Sequence, residues 1–294
     1  MLGRSERESA AHVLAAAQLA GWDVPHNRDE LSDVLDLGSM TTALATVARI
    51  DDLRAVMHIG HPTQPDHGLE RALLAAAPDL RVTAAVAVKP EWVWVSRATD
   101  VTDHVVVDEA AMRDCRHVVR SMGATPHLVP TRTPLDERVA LAGEAGSLVV
   151  ERSLAERALV PAGFHEVPGS ERLAELPPLW FGLVEPVPTP ADFTGPAQVW
   201  LAFGPRDDHR GSLQSTLGLI ADAGFDLDHL RSQQSVAGPH LFLASFRCDG
   251  FEALRGLRTA LQDHGVAHRV LAVMPGSDFA PGADAVEPRW ARPL

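Results

Sequence analysis

Lysine is almost missing from this chain. Lys89 is the only one, and arginine carries the rest of the positive charge, which reads as genome bias rather than chemistry. Basic residues are also outnumbered: 26 Lys and Arg stand against 39 Asp and Glu, for a formal net charge of −13. That sign argues against nucleic acid as the main partner, because a phosphate backbone needs a cationic surface. No apolar run is long enough to span a bilayer. No charged start followed by an apolar stretch marks a secretory signal, so a cytoplasmic protein is expected. Cysteine is scarce: Cys115 and Cys248 lie far apart and read as reduced core thiols, although a bridge between them stays open. No Gly-x-Ser-x-Gly elbow and no glycine-rich phosphate loop is present. Neither a metal nor a cofactor is expected.

What is present is enough chain for two domains and patterned α/β segments. Residues 197–274 read as a complete small module. Ala197–Phe203 is a strand run, and Ser212–Ala223 puts Leu213, Leu217, Ile220 and Ala221 on one helical face. Asp226–Gln234 and His240–Arg247 are strand-like, with a turn at 235–239 between them. A second helix opens at Gly250 with Phe251, Leu254, Leu257 and Leu261 inward, and His268–Met274 closes the module as a strand. The order β-α-β-β-α-β is a split βαβ of the ferredoxin-like kind.

Upstream, a helix is expected from about Ser5, with Ser5 and Glu8 as a capping box and Val13, Leu14 and Ala17 on its apolar face. Leu53–Ile59 is a buried strand, followed by a loop rich in Gly, Pro and His and then a helix through Leu69 and Leu73. Three imidazoles in this region, His58, His61 and His67, could ligate a metal, but their spacing fits no known metal type, and loop histidines lining a cleft are the preferred reading. Strands at Val82–Val88, Val93–Ser96, Val105–Val107, His127–Pro130 and Leu148–Val150 alternate with helices. One helix carries Met112, Cys115, Val118 and Val119 inward. Another opens at Thr131–Asp136, with Thr133 as cap and Pro134 in the first turn. This alternation predicts an α/β fold of two lobes with a cleft between them.

These stretches resemble the prephenate dehydratase family. Leu2, Gly3 and Ser9 match its opening Leu-Gly-Pro-x-Gly-Thr-x-Ser. Ala111 or its neighbour and Cys115 follow its His-Pro-x-Ala-Leu-x-Gln-Cys, and Phe181 matches the last residue of its Thr-Arg-Phe. Gly211, Leu213 and Ser232 match the Gly-Ala-Leu and Glu-Ser-Arg-Pro stretches of its ACT domain. The resemblance implies a two-lobed domain like that of periplasmic binding proteins at 1–190, with the second lobe at about 81–163. It further implies an ACT domain at 196–275 and a tail at 276–294. The departures fall in the site. Gly60 and His61 replace the Glu and Asn of the family's cleft loop. Leu179 stands where Thr should protonate a leaving hydroxyl, and Trp180 where Arg should grip a carboxylate.

The resemblance implies a divergent prephenate dehydratase-like protein, a carbon–oxygen lyase if active. It would act on prephenate or a related cyclic carboxylic acid in aromatic amino-acid (L-phenylalanine) biosynthesis or secondary metabolism. A prephenate decarboxylase-like enzyme and a non-catalytic ligand-binding regulator are the alternatives. The expected substrate-binding residues are His58, His61, Arg132, Thr133, Trp180 and Phe181. Arg132 at its helix start would replace the lost cation and face a wall of His58, His61 and Trp180. An amino-acid effector would sit at Gly211, Ser212 and Leu213 with Arg231, Ser232 and Gln233. A homodimer or larger assembly through the C-terminal module is expected.

Overall fold

The three residues after Met1 are all buried and form a strand, β1 (Leu2–Arg4), parallel between β2 (Val34–Asp36) and β3 (Arg54–His61). The computed structural model describes residues 1–22, 34–99, 103–187, 192–205, 209–234, 240–276 and 279. The first helix therefore starts later than the sequence predicts. It is α1 (Ala10–Ala20), and Ser9, not Ser5, caps it by accepting from the His12 N–H. Ser5 and Glu8 do meet, but in a turn ahead of the helix, where the Glu8 N–H donates to the Ser5 carbonyl at 3.2 Å. Arg4 holds that turn open by donating to the Glu8 carbonyl at 2.7 Å.

The chain continues through α2 (Met40–Val47), β4 (Gln64–Pro65), α3 (His67–Ala75) and β5 (Leu80–Val88). It then crosses to a second sheet of β6 (Trp92–Ser96), β7 (His104–Asp108), β8 (Thr125–Val129), β9 (Ser147–Glu151) and β10 (His165–Glu166), in the order β10-β6-β9-β7-β8. α4 (Glu109–Ser121) and α5 (Leu135–Ala142) cover this sheet. A short α6 (Arg152–Leu154) runs on into wider and tighter turns through Ala162. The return strand β11 (Leu179–Pro186) lies antiparallel between β3 and β5. β5 thus belongs to the first sheet. The second lobe begins near Trp92 and not at 81, and it extends past 163 through β10 and the turn Ser170–Glu175.

The C-terminal module comprises β12 (Ala197–Pro205), α7 (Ser212–Asp222), β13 (Leu227–Gln233), β14 (Leu241–Cys248), α8 (Phe251–Asp263) and β15 (Val266–Pro275). Its strand order is β13-β14-β12-β15, the split βαβ arrangement. The turn expected at 235–239 lies outside the described residues, as does most of the tail. Leu254, Leu257 and Leu261 of α8 pack with Val199, Leu201, Phe203 and Phe246 on the helical side of the module.

The module is not a separate body. β15 pairs in parallel with β5 at Ala272 and Val82, so one ten-stranded sheet runs through both. The other face of the module, with Trp200, Ala202, Leu243 and Leu271, packs on Leu69 and Leu73 of α3. Polar groups hold the same seam. Trp200 Nε1 donates to the Pro62 carbonyl at 2.6 Å, and Ser245 donates to the Thr63 carbonyl. Arg269 donates to the carbonyls of Leu74, Ala76, Ala77 and Leu80, capping α3 from outside its own segment. This seam takes up the sheet face that sheet-to-sheet pairing with a second copy would need.

Candidate functional site

The parallel strands decide where a ligand can bind. The carboxyl ends of β1 and β3 in the first lobe face those of β7 and β9 in the second, and ligands of open α/β sheets bind beyond such ends. Several contacts cross the gap, two of them hydrogen bonds from side chains. Ser9 Oγ donates to Glu151 Oε1 at 2.6 Å, and Arg113 Nη1 of α4 donates to the Arg7 carbonyl at 2.9 Å.

Glu8 lies at the bottom of this cleft, 1% exposed. Its Oε2 accepts from the Ser5 N–H at 3.1 Å and from the Ser5 hydroxyl, while Oε1 faces the His58 N–H at 3.4 Å and Arg113 Nη1 at 4.0 Å. Burial pushes its carboxyl pKa up, against the Ser5 bond and the Arg113 charge. Arg113 donates through Nε to Asp114 Oδ1 at 2.6 Å, and its Nη2 is buried without a partner. Burial disfavours its charge, but Asp114, Glu8 and Asp66 more than offset this and hold the guanidinium charged. Trp92 Nε1 fixes the other Asp114 oxygen at 3.0 Å.

Two histidines complete the lining. His12 stands edge-on to Trp92 at 4.9 Å and is buried with Nδ1 unpartnered; burial lowers its pKa. His58 stands edge-on to Phe181 at 6.0 Å, and burial, with Arg113 nearby, lowers its pKa to about 4. Both imidazoles are neutral near neutrality. The site therefore joins one fixed cation, one carboxyl inclined to keep its proton, and aromatic walls. A cavity of about 520 Å³ adjoins it along Ala11, His12 and Ala15 of α1, with Lys89, Glu91 and Glu151 at its edge.

The residues expected from sequence divide between two faces of the first sheet. His58 and Phe181 lie on the α1 side, with Leu179. His61 and Trp180 lie on the opposite side, 5.6 Å apart between ring centres, where Trp180 also meets Phe279. Strand alternation enforces this: Trp180 and Phe181 are neighbours and must point to opposite faces. Gly60, with φ 78°, closes the cleft loop, and a Cβ there would lie 2.5 Å from the Asp66 nitrogen. A side chain at this position has no place on this backbone.

Arg132 is exposed, and the charges that bear on His58 are Arg113, Asp114, Asp66 and Arg7. Thr133 makes no cap. Pro134 occupies the cap position of α5, and Asp136 and Glu137 fill its first turn. The Thr131 and Thr133 carbonyls instead bind Arg138, which pairs with the buried Asp108 at 2.7 Å. The single wall of Arg132, His58, His61 and Trp180 is therefore not formed.

His67 lies in the seam, where Gln233 reaches it at 3.5 Å, so the three loop histidines serve three different places. Among the described residues no group of three or more His, Cys, Asp or Glu could hold a metal ion. Gly211–Leu213 and Ser232–Gln233 lie at one end of the module, because β12 and β13 both run antiparallel to β14. Arg231 is committed elsewhere: it pairs with Glu70, which burial raises to a pKa of about 7.

Glu8, His12, Trp92, Arg113 and Asp114 were not singled out as site residues by sequence. Glu8 was visible only as a partner for Ser5, and Arg113 sits beside the inward helix positions with no spacing that marks it.

No family model matches the sequence, and no curated relative matches it. Solved structures do match. The chain is similar to the prephenate dehydratase of Staphylococcus aureus subsp. aureus Mu50, with 13% identity and TM-score 0.63 over 94% of this chain and 100% of the other. It is similar to prephenate dehydratase in complex with L-Phe from Arthrobacter aurescens, with 18% identity and TM-score 0.65 over 97% and 93%. It is also similar to GqqA, described as a novel type of quorum quenching acylase, with 19% identity and TM-score 0.64 over 95% and 98%. The chain therefore has a prephenate dehydratase-like, two-lobed α/β fold along nearly its whole length. Activity does not follow from fold alone. Among the described residues, no helix is long and apolar enough to cross a membrane.

Proposed function

We propose that this chain is a divergent prephenate dehydratase-like cytoplasmic enzyme acting on prephenate or a related cyclic carboxylic acid between its lobes. The observation that carries the reading is the meeting of Arg113 and Glu8 across the cleft. Arg113 brings from the second lobe the cation that Trp180 cannot supply, and its unpartnered Nη2 suits a carboxylate. Glu8, protonated more readily than an ordinary carboxyl, takes the proton-donating role that Leu179 cannot. Phe181, His58 and Leu179 form the apolar side against which a ring packs. When the lobes part, a ligand carboxylate takes the place of Glu8 beside Arg113.

The module at 197–275 acts as an ACT domain, supported by its strand order. An amino-acid effector binds at Gly211–Leu213 and Ser232–Gln233, and copies associate through the free edge of β13. The commitment of Arg231 to Glu70 removes it from that effector site.

The test is incubation of the pure protein with prephenate and separation of products, alongside Glu8→Gln and Arg113→Met. Turnover that falls at least a hundredfold in Glu8→Gln, in the range of a positioned general acid, supports the reading. Phenylpyruvate marks dehydration, and a non-aromatic decarboxylated acid marks decarboxylation alone. Equal rates in the wild type and Glu8→Gln overturn the role of Glu8. Prephenate binding without any product assigns the chain to the non-catalytic regulators.

A further inference from the structure

The cavity of about 520 Å³ has walls from both lobes and from the strand crossing between them. The first lobe gives it α1, the second gives it Glu151 and Arg152, and the crossing from β5 to β6 gives it Val88, Lys89 and Glu91. Its volume is in the range that small-molecule sites occupy. Glu8, His58, Arg113 and Phe181 are not among its walls, so it is separate from the place assigned to the reaction.

The polar groups around it are unspent. His12 is 3% exposed, and its Nε2 accepts from the Glu91 N–H at 3.4 Å. In a neutral imidazole the proton then sits on Nδ1, which is a buried donor without a partner. Lys89, the only lysine of the chain, is exposed and makes no hydrogen bond or ion pair among the described residues. Glu91 bonds through its backbone alone, to His12 and to the Arg152 N–H at 2.7 Å, and its carboxylate is free among the described residues. Glu151 spends Oε1 on Ser9 and keeps Oε2 open. Arg152 is committed elsewhere, to Glu166 at 2.8 Å.

These groups select a ligand by what each would reject. A simple carboxylate satisfies Lys89 and the His12 donor but meets the like charges of Glu91 and Glu151. A simple amine satisfies the two carboxylates but leaves Lys89 and His12 unmet, and an unmet buried donor carries a penalty. A molecule with both an anionic and a cationic end avoids both faults. Ala11, Ala15, Leu19 and Val88 supply an apolar wall between the charged groups and call for an apolar body on the ligand.

We infer that this cavity binds a free α-amino acid with an apolar side chain. Lys89 and His12 Nδ1 take its carboxylate, Glu91 and Glu151 Oε2 take its ammonium, and the side chain packs on α1 and Val88. The ligand touches both lobes and the crossing, so binding favours the arrangement of lobes seen here. The site is distinct from the effector site proposed on the C-terminal module.

The test is calorimetry on the full chain with L-leucine and L-phenylalanine. Each is set against the same molecule without its amino group and without its carboxylate. At least one amino acid should bind saturably, with both of its analogues weaker by about tenfold or more. Lys89→Gln and Glu91→Gln should each weaken that binding by about fivefold or more. Both side chains are exposed and make no bond among the described residues, so neither variant removes a native contact. Ser232→Glu, at the effector site on the module, should leave this binding unchanged. No binding of either amino acid, an analogue that binds as tightly, or affinity untouched by Lys89→Gln or by Glu91→Gln would each overturn the inference. Binding that is lost in Ser232→Glu and kept in the two cavity variants would place the amino acid on the module, refuting this site and leaving the other intact.

Discussion

His58 should make this protein sensitive to mild acid, and the size of the effect can be worked out. Its folded pKa is about 4, because burial and Arg113 disfavour the imidazolium. In the unfolded chain the ring has an ordinary pKa of about 6.5. The unfolded state therefore binds the proton first as pH falls. The stability contributed by neutral His58 is complete above about pH 6.5 and is lost as pH falls toward 4. At pH 5 the loss from this one group is about 2 kcal/mol, reaching about 3 kcal/mol at pH 4. Glu8 and Glu70 act in the opposite direction, since their raised pKa values favour the folded state as pH falls. A comparison of stabilities at two pH values would mix these effects.

A difference of differences separates them. Urea unfolding of wild type and His58→Gln at pH 7.5 and pH 5 gives two pH increments, in which the carboxylates cancel. The wild type should lose about 2 kcal/mol more than the variant on acidification. The ring signal absent from His58→Gln identifies His58 in a histidine proton NMR titration. That signal should stay neutral down to about pH 5. Equal pH increments, or a midpoint near 6.5, would refute the burial of His58 beneath Phe181 and Arg113.

Arg113→Met should cost about 3–5 kcal/mol by urea unfolding, since it removes the charged partner of buried Asp114 and Glu8. The loss should shrink as pH falls, because burial makes Glu8 take up a proton more readily than an ordinary carboxyl, and a loss below about 1 kcal/mol at pH 8 would contradict the buried pairing. Asp108→Asn keeps an oxygen to cap α4 but strands Arg138, so a destabilisation of about 3 kcal/mol is expected in the same assay. Gly182→Ala would place a Cβ 2.6 Å from Ile59 and 2.7 Å from Val82, and overpacking of about 1–3 kcal/mol should lower the melting temperature.

Local pattern made much of the fold legible. The apolar spacing of Leu254, Leu257 and Leu261 marked α8, and the β-branched run Val105–Val107 marked β7, because burial of one face leaves a period in the sequence. Element order was enough for the two lobes and the split βαβ module. Strand β1 was harder, because three residues carry no period and Ser5 with Glu8 imitates a helix start. The Thr133 cap failed for a related reason. Its residue type was right, but Arg138 took the carbonyls around it.

The site was much less legible. The resemblance sets Leu179 and Trp180 where a Thr and an Arg would be expected, but which groups could serve in their place depends on which side chains meet across the cleft. Glu8 and Arg113 are more than a hundred positions apart, and no spacing rule connects such residues. Strand parity then separated His58 from His61 and Trp180, a division that a bulge between Trp180 and Phe181 makes hard to count from the chain.

Amphipathic period and turn chemistry act within a few residues, so the sequence by itself determined most of the elements and their order. Packing decided the rest. The continuous sheet through β15 and β5 and the pairing of Arg231 with Glu70 both join segments more than a hundred residues apart. Their energies come from burial and from charges meeting in space, and neither leaves a mark in the local pattern of either partner.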